Sequence, residues 1–542
     1  MSKITTADEV VQLIPDGATV GVLGFGLAGW AEEIGQAIEK SFLATGHPNN
    51  ITLVQGSAIG DWKERGVTRL GHKGLVKRWI GAHIGSAAKL APLVADGTVE
   101  GYCLPQGVLF HLYREIAAHR PGLITKVGLG TFVDPRVDGA KMNSNTTEEI
   151  VRVLDIDGEE YLFYKSFPID VAILRGTTID ENGNLSTEKD GVLLEALPLA
   201  QAVRNSGGVI IAQAEYLVKA GSLHPKQVKV PGILVDHIVI ATKQECSWQT
   251  EGVYFNPAFT GDHKVSLDSI QELPLDERKI IARRAAMELT RGAIVNLGVG
   301  IPSDVGAIAA EEKVSDLMTL TTEAGCIGGV PASLPNFGVA YNAEAIIDNF
   351  EQFDFYDGGG IDVAFLGLAQ TDEEGNVNVS KFKGRAMGCG GFIDITQSSK
   401  KIVYCGSFTA GGLKVAALDG HLVIEQEGKG NKFIRKVEQI TFSGKVAAKQ
   451  NQPVLYITER AVFSLEGGQV TLIEVAPGIN MEKDVLAHME FVPRISSKLK
   501  LMPAELFQPT WGGLRAIIEA KKSGPVQTDV EATEPVLAGS EV

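Results

Sequence analysis

Disulfide chemistry has little to draw on in this chain. Its 542 residues hold five cysteines, Cys103, Cys246, Cys326, Cys389 and Cys405, an odd number with no CxxC pair. That pattern points to a reducing compartment rather than a disulfide framework. Positive charge is also short: 50 Lys and Arg against 66 Asp and Glu leave a formal net charge of −16. A nucleic-acid binder carries a basic face, and none stands out. An anionic ligand must therefore be held by local groups, such as helix N-termini and glycine-loop amides. No apolar run approaches the roughly 18–20 residues of a membrane-spanning helix. The opening MSKITTADEVVQLIPDGATV has no apolar stretch behind a basic patch, and its acids argue against an organellar transit peptide. The expectation is a cytoplasmic protein with no nucleic-acid and no membrane partner. The ten histidines form no HxH or HExxH spacing, so no metal site is expected, and a GxSxG elbow is missing.

What the chain has in quantity is glycine, 62 residues, within a composition 44% apolar and 21% charged. That is globular, and at roughly 150 residues per unit the length suggests three to four domain-sized units. The order of motifs is more informative, because it occurs twice. Residues 7–14 read as an amphipathic helix with a Thr6/Glu9 capping box, then a Pro15-Asp16-Gly17 turn, a strand at 18–23, a glycine loop at 24–29 and a helix from about Trp30. Residues 276–302 repeat this: helix, Arg291-Gly292 turn, strand 293–297, then Gly298-Val299-Gly300-Ile301-Pro302 opening another helix. IDVAILRGTTIDENGNLST (169–187) and IDVAFLGLAQTDEEGNVNVS (361–380) form a second matched pair. Two pairs in one order imply two homologous α/β halves, each an open, mainly parallel sheet with flanking helices. The halves are assigned to residues 1–240, with an insertion at about 60–160, and 271–520. A polar, aperiodic linker at 241–270 separates them, and 521–542 reads as an acidic, flexible tail.

Gly24-Phe25-Gly26-Leu27-Ala28-Gly29 satisfies a dinucleotide fingerprint taken alone. The next strand, ITLVQ (51–55), runs into Gln55-Gly56-Ser57 without the acid that would meet a ribose, and the matching loop of the second half has Pro302 where the fingerprint does not fit. These glycines are read instead as close backbone approaches to a thioester or phosphate ligand. In the second half LMTLTT (317–322) is a strand that delivers Glu323 to its carboxyl end, followed by a turn at Ala324-Gly325 and glycines up to Gly329. A carboxylate there is costly to bury unpaired, and glycine amides beside it could hold a developing oxyanion. Cys326 has no histidine partner that sequence can pick, Cys389 reads as a small apolar filler, and His111 and His119 as packing or surface residues.

On these motifs the sequence resembles family I coenzyme A-transferases, most of all the single-chain acetate/propionate and 3-oxoacid type. The segment DGATVGVLGFGLAGWAEEI (16–34) is similar to that family's amino-half signature, with Leu23 in place of a glycine. TTEAG (321–325) is similar to its glutamate signature, with Thr322 and Ala324 as departures. NLGVGIP (296–302), GNVNVSKF (375–382) and MGCGGFIDIT (387–396) extend the match. The resemblance implies Glu323 as nucleophile and Asn378, Gly390 and Gly391 as donors to the thioester oxygen. It implies Gly298, Gly300, Ile301, Pro302 and Gly388 along the CoA arm, and Gly26 and Gln106 in an acyl pocket. It further implies transfer of CoA from a short-chain acyl-CoA to acetate, propionate, butyrate, lactate or acetoacetate, by ping-pong through a glutamyl-CoA thioester. No tightly bound cofactor is implied, and the chain would be a homo-oligomer, a dimer or tetramer. An acyl-CoA hydrolase on the same intermediate is the near alternative. A sugar-phosphate isomerase or dinucleotide enzyme on a related fold is the distant one.

Overall fold

The structure, a computed structural model, describes residues 3–266 and 272–521. Two large sheets organise it. The first runs Ile4–Thr5, His237–Ile240, Val209–Val218, Val171–Asp180, Thr19–Val22, Ile51–Gln55, Val76–Gly81 and Glu100–Cys103, and every neighbouring pair along that path is parallel. The second has the same central order. Val454–Ile457, Ile402–Cys405, Val363–Gly367, Ile294–Leu297 and Thr319–Thr321 lie side by side and parallel, extended at both edges by antiparallel neighbours. Helices cover the faces, so the central strands are buried on both sides. Val171–Asp180 is buried at all ten positions; its apolar start, Val171–Leu174, suits the centre of a parallel sheet, and the buried Arg175 that follows is paired with Asp190 at 2.8 Å.

The internal repeat survives in atomic detail. Asp170 accepts the Thr19 N–H at 2.7 Å, and Asp362 accepts the Ile294 N–H at 2.8 Å. Asp180 holds the Asn184 backbone and side-chain amides at 2.9 Å each, and Asp372 does the same for Asn376 at 3.0 and 3.1 Å. These Asp-Asn turns are why the paired motifs keep both residues: a short acid satisfies the backbone of a tight turn that would otherwise leave N–H groups unmet. The capping box at Thr6 and Glu9 is present as expected.

Between the strands Ile51–Gln55 and Val171–Asp180 the chain adds two strands to the first sheet, the helix Gln106–Ala117 and a separate three-stranded antiparallel sheet of Gly122–Thr125, Val151–Ile156 and Glu159–Lys165. Residues 241–266 have little regular structure but are well packed, with Cys246, Gln249, Thr250 and Phe259 buried. Thr250 donates to Asn336 at 2.6 Å, and Arg175 reaches the Trp248 carbonyl at 2.8 Å. One apolar core runs from the first sheet into the inner face of the second, so the halves share an interior. A second core lies behind the outer face of the second sheet. The proposed tail, apart from Lys521, lies outside the described residues, as do 267–270 of the linker and residue 271.

Candidate active site

The strand Thr319–Thr321 ends against the other half of the molecule, and its side chains explain the turn that follows. The Thr322 hydroxyl donates to the Gly338 carbonyl at 2.8 Å, the Thr322 N–H to Cys326 at 3.0 Å, and the Gly325 N–H back to Thr322 at 3.1 Å. Gly325 sits at φ +105°, where its missing side chain lets the Ile347 carbonyl come close. This turn projects Glu323 into a cavity between the halves. Burial pushes its carboxyl up to about 7, opposed by a hydrogen bond from the Gly391 N–H.

Glu323 stands between two chambers. One, of about 280 Å³, is walled by Phe25, Trp62, Val192, Leu334, Phe337 and Val339. The other, of about 220 Å³, is walled by Gly298, Leu366, Val379, Gly391, Phe392 and Ile395. His83, Val299, Glu323, Phe337 and Gly390 belong to both walls. Phe25, from the first glycine loop, and Phe337, from the second half, stack with ring centres 5.9 Å apart, closing the first chamber across the two halves.

The glycine turn at 387–391 is pinned to the amino half by its backbone. The Ile84 N–H donates to Met387 at 2.8 Å, Gly390 N–H to Ala82 at 2.8 Å and Gln106 N–H to Gly390 at 3.0 Å. Gly388 packs against Ala82 and His83, where a side chain would collide with backbone. The Gly390 N–H is therefore spent on Ala82, and the Gly391 N–H is the amide turned toward the carboxylate. A Cβ on Gly391 would lie 2.5 Å from Glu323 Oε2.

The remaining expected residues divide. Gly26 lies on the wall of the first chamber. Gln106 opens the helix Gln106–Ala117 on the same wall, 1% exposed, with its Nε2 unpartnered. A buried donor of this kind needs an acceptor, which a ligand oxygen can supply. Gly298 lines the second chamber, with Val299 beside it. Gly300, Ile301 and Pro302 line neither chamber; Gly300 and Ile301 are half-buried and Pro302 buried where the helix Ile301–Glu311 starts. Asn378 is off both walls. Its amide donates to Gln370 at 2.6 Å and to the Lys381 carbonyl at 2.7 Å, and its oxygen accepts the Ser380 N–H at 3.0 Å. With both N–H groups committed inside its own turn, Asn378 has no donor left for a thioester oxygen in this arrangement.

Sequence reasoning passed over His83. It follows the strand Val76–Gly81 and lines both chambers; burial holds its imidazole down at about 4, so it stays neutral, and its Nδ1 has no partner. The available signal was a single histidine among small residues just past a strand end, Gly81-Ala82-His83-Ile84-Gly85. Cys326 is no nucleophile here: its thiol is pushed up to about 11 by burial and faces the carbonyls of Gly191 and Gly338. His111 pairs with Asp354 at 3.0 Å, a structural role. The dinucleotide reading fails on geometry. The amides of Glu32, Glu33 and Ile34 at the start of the helix Glu32–Thr45 are all taken, by the Trp30 carbonyl at 3.1 Å and by Gln213 Oε1 at 3.1 and 3.4 Å, which leaves none for a pyrophosphate. Among the described residues no group of His, Cys, Asp and Glu could hold a metal ion, and no helix is long and apolar enough to cross a membrane.

Comparison with known proteins gives a consistent picture. Residues 4–241 match the family model described as coenzyme A transferase. The chain is 58% identical over 523 residues to a caffeate CoA-transferase of Acetobacterium woodii, covering 96% of this chain and 100% of that one. It is 44% identical over 506 residues to an acetate CoA-transferase of Escherichia coli K12, covering 93% and 95%. A crystal structure of an acyl-CoA transferase from E. coli O157:H7, a thioester complex with CoA, superposes with a TM-score of 0.89 at 42% identity, over 94% of this chain and 97% of that one.

Proposed function

Since the chain belongs to the coenzyme A transferase family and is a CoA-transferase, we propose that it works by a ping-pong mechanism in which Glu323 carries the CoA as a thioester. The observation that carries this reading is a single recessed carboxylate shared by two chambers, with a backbone N–H against it. Ionised Glu323 attacks the acyl-CoA carbonyl and the CoA thiolate leaves, giving a mixed anhydride. The thiolate then attacks the glutamyl carbonyl and expels the acyl group as a free acid. The incoming acid reverses both steps. The acyl group occupies the apolar first chamber and the thiol arm the second. Gln106 Nε2 and the neutral His83 are the donors available to the oxygens that change charge. The hydrophobic walls keep water from the anhydride, which separates transfer from hydrolysis.

The first chamber also bears on the substrate. Short-chain acids, acetate to acetoacetate, fit it, but its volume and its aromatic walls, Phe25, Trp62 and Phe337, exceed what a two-carbon acid fills. That favours a second reading, in which a flat, apolar acid such as an arylpropenoate is accepted as well. The test is mass spectrometry after mixing the protein with propionyl-CoA and no acceptor. A CoA adduct less one water, labile to hydroxylamine, is expected on the peptide holding Glu323. Adding acetate, butyrate or an arylpropenoate singly ranks acceptors by how fast each discharges it. Free CoA accumulating without adduct would mean hydrolysis, and no reaction at all would remove the reading.

The raised carboxyl sets a pH dependence. Only ionised Glu323 is nucleophilic, so kcat/KM for acyl-CoA should climb with pH and reach half its plateau near pH 7. An assay from pH 5 to 9 checks this, and a profile already flat at pH 5 would contradict it.

A further inference from the structure

The repeat fixes a residue-by-residue correspondence between the halves. Val20 pairs with Val171 and Leu53, and Val295 with Val363 and Leu320. Val171 and Val363 are the same position of the repeated IDVA motif, so Leu53 corresponds to Leu320 and, three residues on, Gly56 to Glu323. After the repeated Asp-Asn turns each half enters a helix, and the residues that precede these helices at their N-caps are Glu195 and Gly391. The second half therefore has glutamate at the strand end and glycine at the helix cap, and the first half has the reverse.

The geometry makes the exchange reciprocal. A Cβ on Gly391 would fall 2.5 Å from Glu323 Oε2, and a Cβ on Gly56 would fall 2.9 Å from Glu195 Oε1. Each carboxylate fills the side-chain space that the facing glycine leaves empty. Glu195 is fully buried and lines neither chamber, so it cannot meet substrate. Its Oε2 instead accepts the Asn349 Nδ2 at 2.7 Å. Asn349 begins the helix Asn349–Asp357, and the residues before it form the backbone on which the Glu323 turn rests. Ile346 and Ala345 pair with Cys326 and Ile327, and the Ile347 N–H donates to the Gly325 carbonyl at 3.0 Å. The neighbouring Asp348 is ion-paired with Lys229, again from the amino half. Phe353 of the same helix packs where a Gly391 side chain would go.

We propose that Glu195 is a positioning residue for the reaction: through Asn349 it locks, from the amino half, the segment against which the Glu323 turn is folded. The proposal rests on Glu323 being the nucleophile. A glutamine at 195 keeps the oxygen that accepts from Asn349, whereas an alanine leaves the Asn349 amide buried and unmet.

The test uses the full chain with propionyl-CoA and acetate, following the rate of CoA adduct formation on Glu323 together with kcat and KM. Glu195→Ala is expected to slow adduct formation and kcat about 30- to 100-fold, the scale of an ångström of misplacement, with KM for propionyl-CoA within about threefold. Glu195→Gln should stay within about threefold of wild type in every parameter. Asn349→Ala should match Glu195→Ala, and the double variant should be no slower than either single one, because both remove one link. Should Glu195→Ala not fold, Asn349→Ala with Glu195 retained carries the same expectation. Adduct formation at the wild-type rate in Glu195→Ala and Asn349→Ala would overturn the proposal, as would a loss confined to KM or equal losses in Glu195→Ala and Glu195→Gln. Absence of any adduct on Glu323 in the wild-type protein is a different result, which removes the nucleophile assignment itself.

Discussion

Glu323→Gln should abolish CoA transfer and, at the same time, stabilise the folded chain in mild alkali. The glutamine cannot open the thioester, so adduct formation and turnover should fall on the order of 10⁴-fold or more. The stability gain has the opposite origin. In the fold the Glu323 carboxyl is raised to about 7, whereas in the unfolded chain it lies at about 4.3. Between those values the folded state binds the proton more tightly, so stability falls as pH rises. At pH 8 the wild type bears the whole penalty of a buried carboxylate, and the glutamine variant bears none. After allowance for the solvent that reaches the cavity, this is about 2 kcal/mol, or about 1–3 °C in Tm for a chain of this size. The difference should vanish below about pH 4.5. Thermal unfolding of both proteins at pH 4.5 and pH 8 measures it. Equal Tm values at pH 8 would mean that the carboxylate is better solvated than its surroundings indicate.

Gly391→Ala should also be damaging, though less so, by sterics rather than chemistry. The backbone at Gly391 has φ −83°, which any residue adopts, so the position demands glycine only for space. The added methyl would press on Glu323 Oε2 at 2.5 Å and on the Phe353 ring at 2.7 Å. Displacing Glu323 by about an ångström should lower kcat about 10²-fold. Gly300→Ala supplies the contrast. There a Cβ meets nothing within 4 Å, but φ is +87°. The expected cost is about 1–3 kcal/mol of stability, with kcat almost unchanged. Comparing kcat and Tm for the two variants separates crowding from strain.

Much of the architecture can be read from the chain because it is written twice. The Asp170 and Asp362 contacts, the paired Asp-Asn turns and the capping box are local, and local chemistry leaves local sequence marks. Glu323 was legible for the same reason: an apolar strand running into an acid and a glycine is unusual within a short window. Contacts across hundreds of residues left no such mark. That the amides of Gly390 and Ile84 tie the 387–391 turn to the 82–84 segment, or that Phe25 stacks on Phe337, depends on how two sheets face each other. Asn378 shows the converse. Its residue type suits an oxyanion donor, but the turn around it consumes both of its N–H groups. The stretch 241–266 looks like a linker because it lacks periodicity, but aperiodic chain can still pack, and Thr250 and Glu251 reach the first chamber. His83 was missed because one histidine carries no spacing to read.

The swapped glutamate and glycine also constrain ancestry. A doubled fold begins with two equivalent sites, and drift could in principle carry the chemistry from one copy to the other. Here that route is closed by volume. A glutamate arriving at Gly56 would meet Phe110 and the Glu195 carboxylate, and a side chain arriving at Gly391 would meet the Glu323 carboxylate. Each step alone is harmful, so several would have to change together. With the two copies holding opposite residues at these positions, single mutations no longer reverse the exchange.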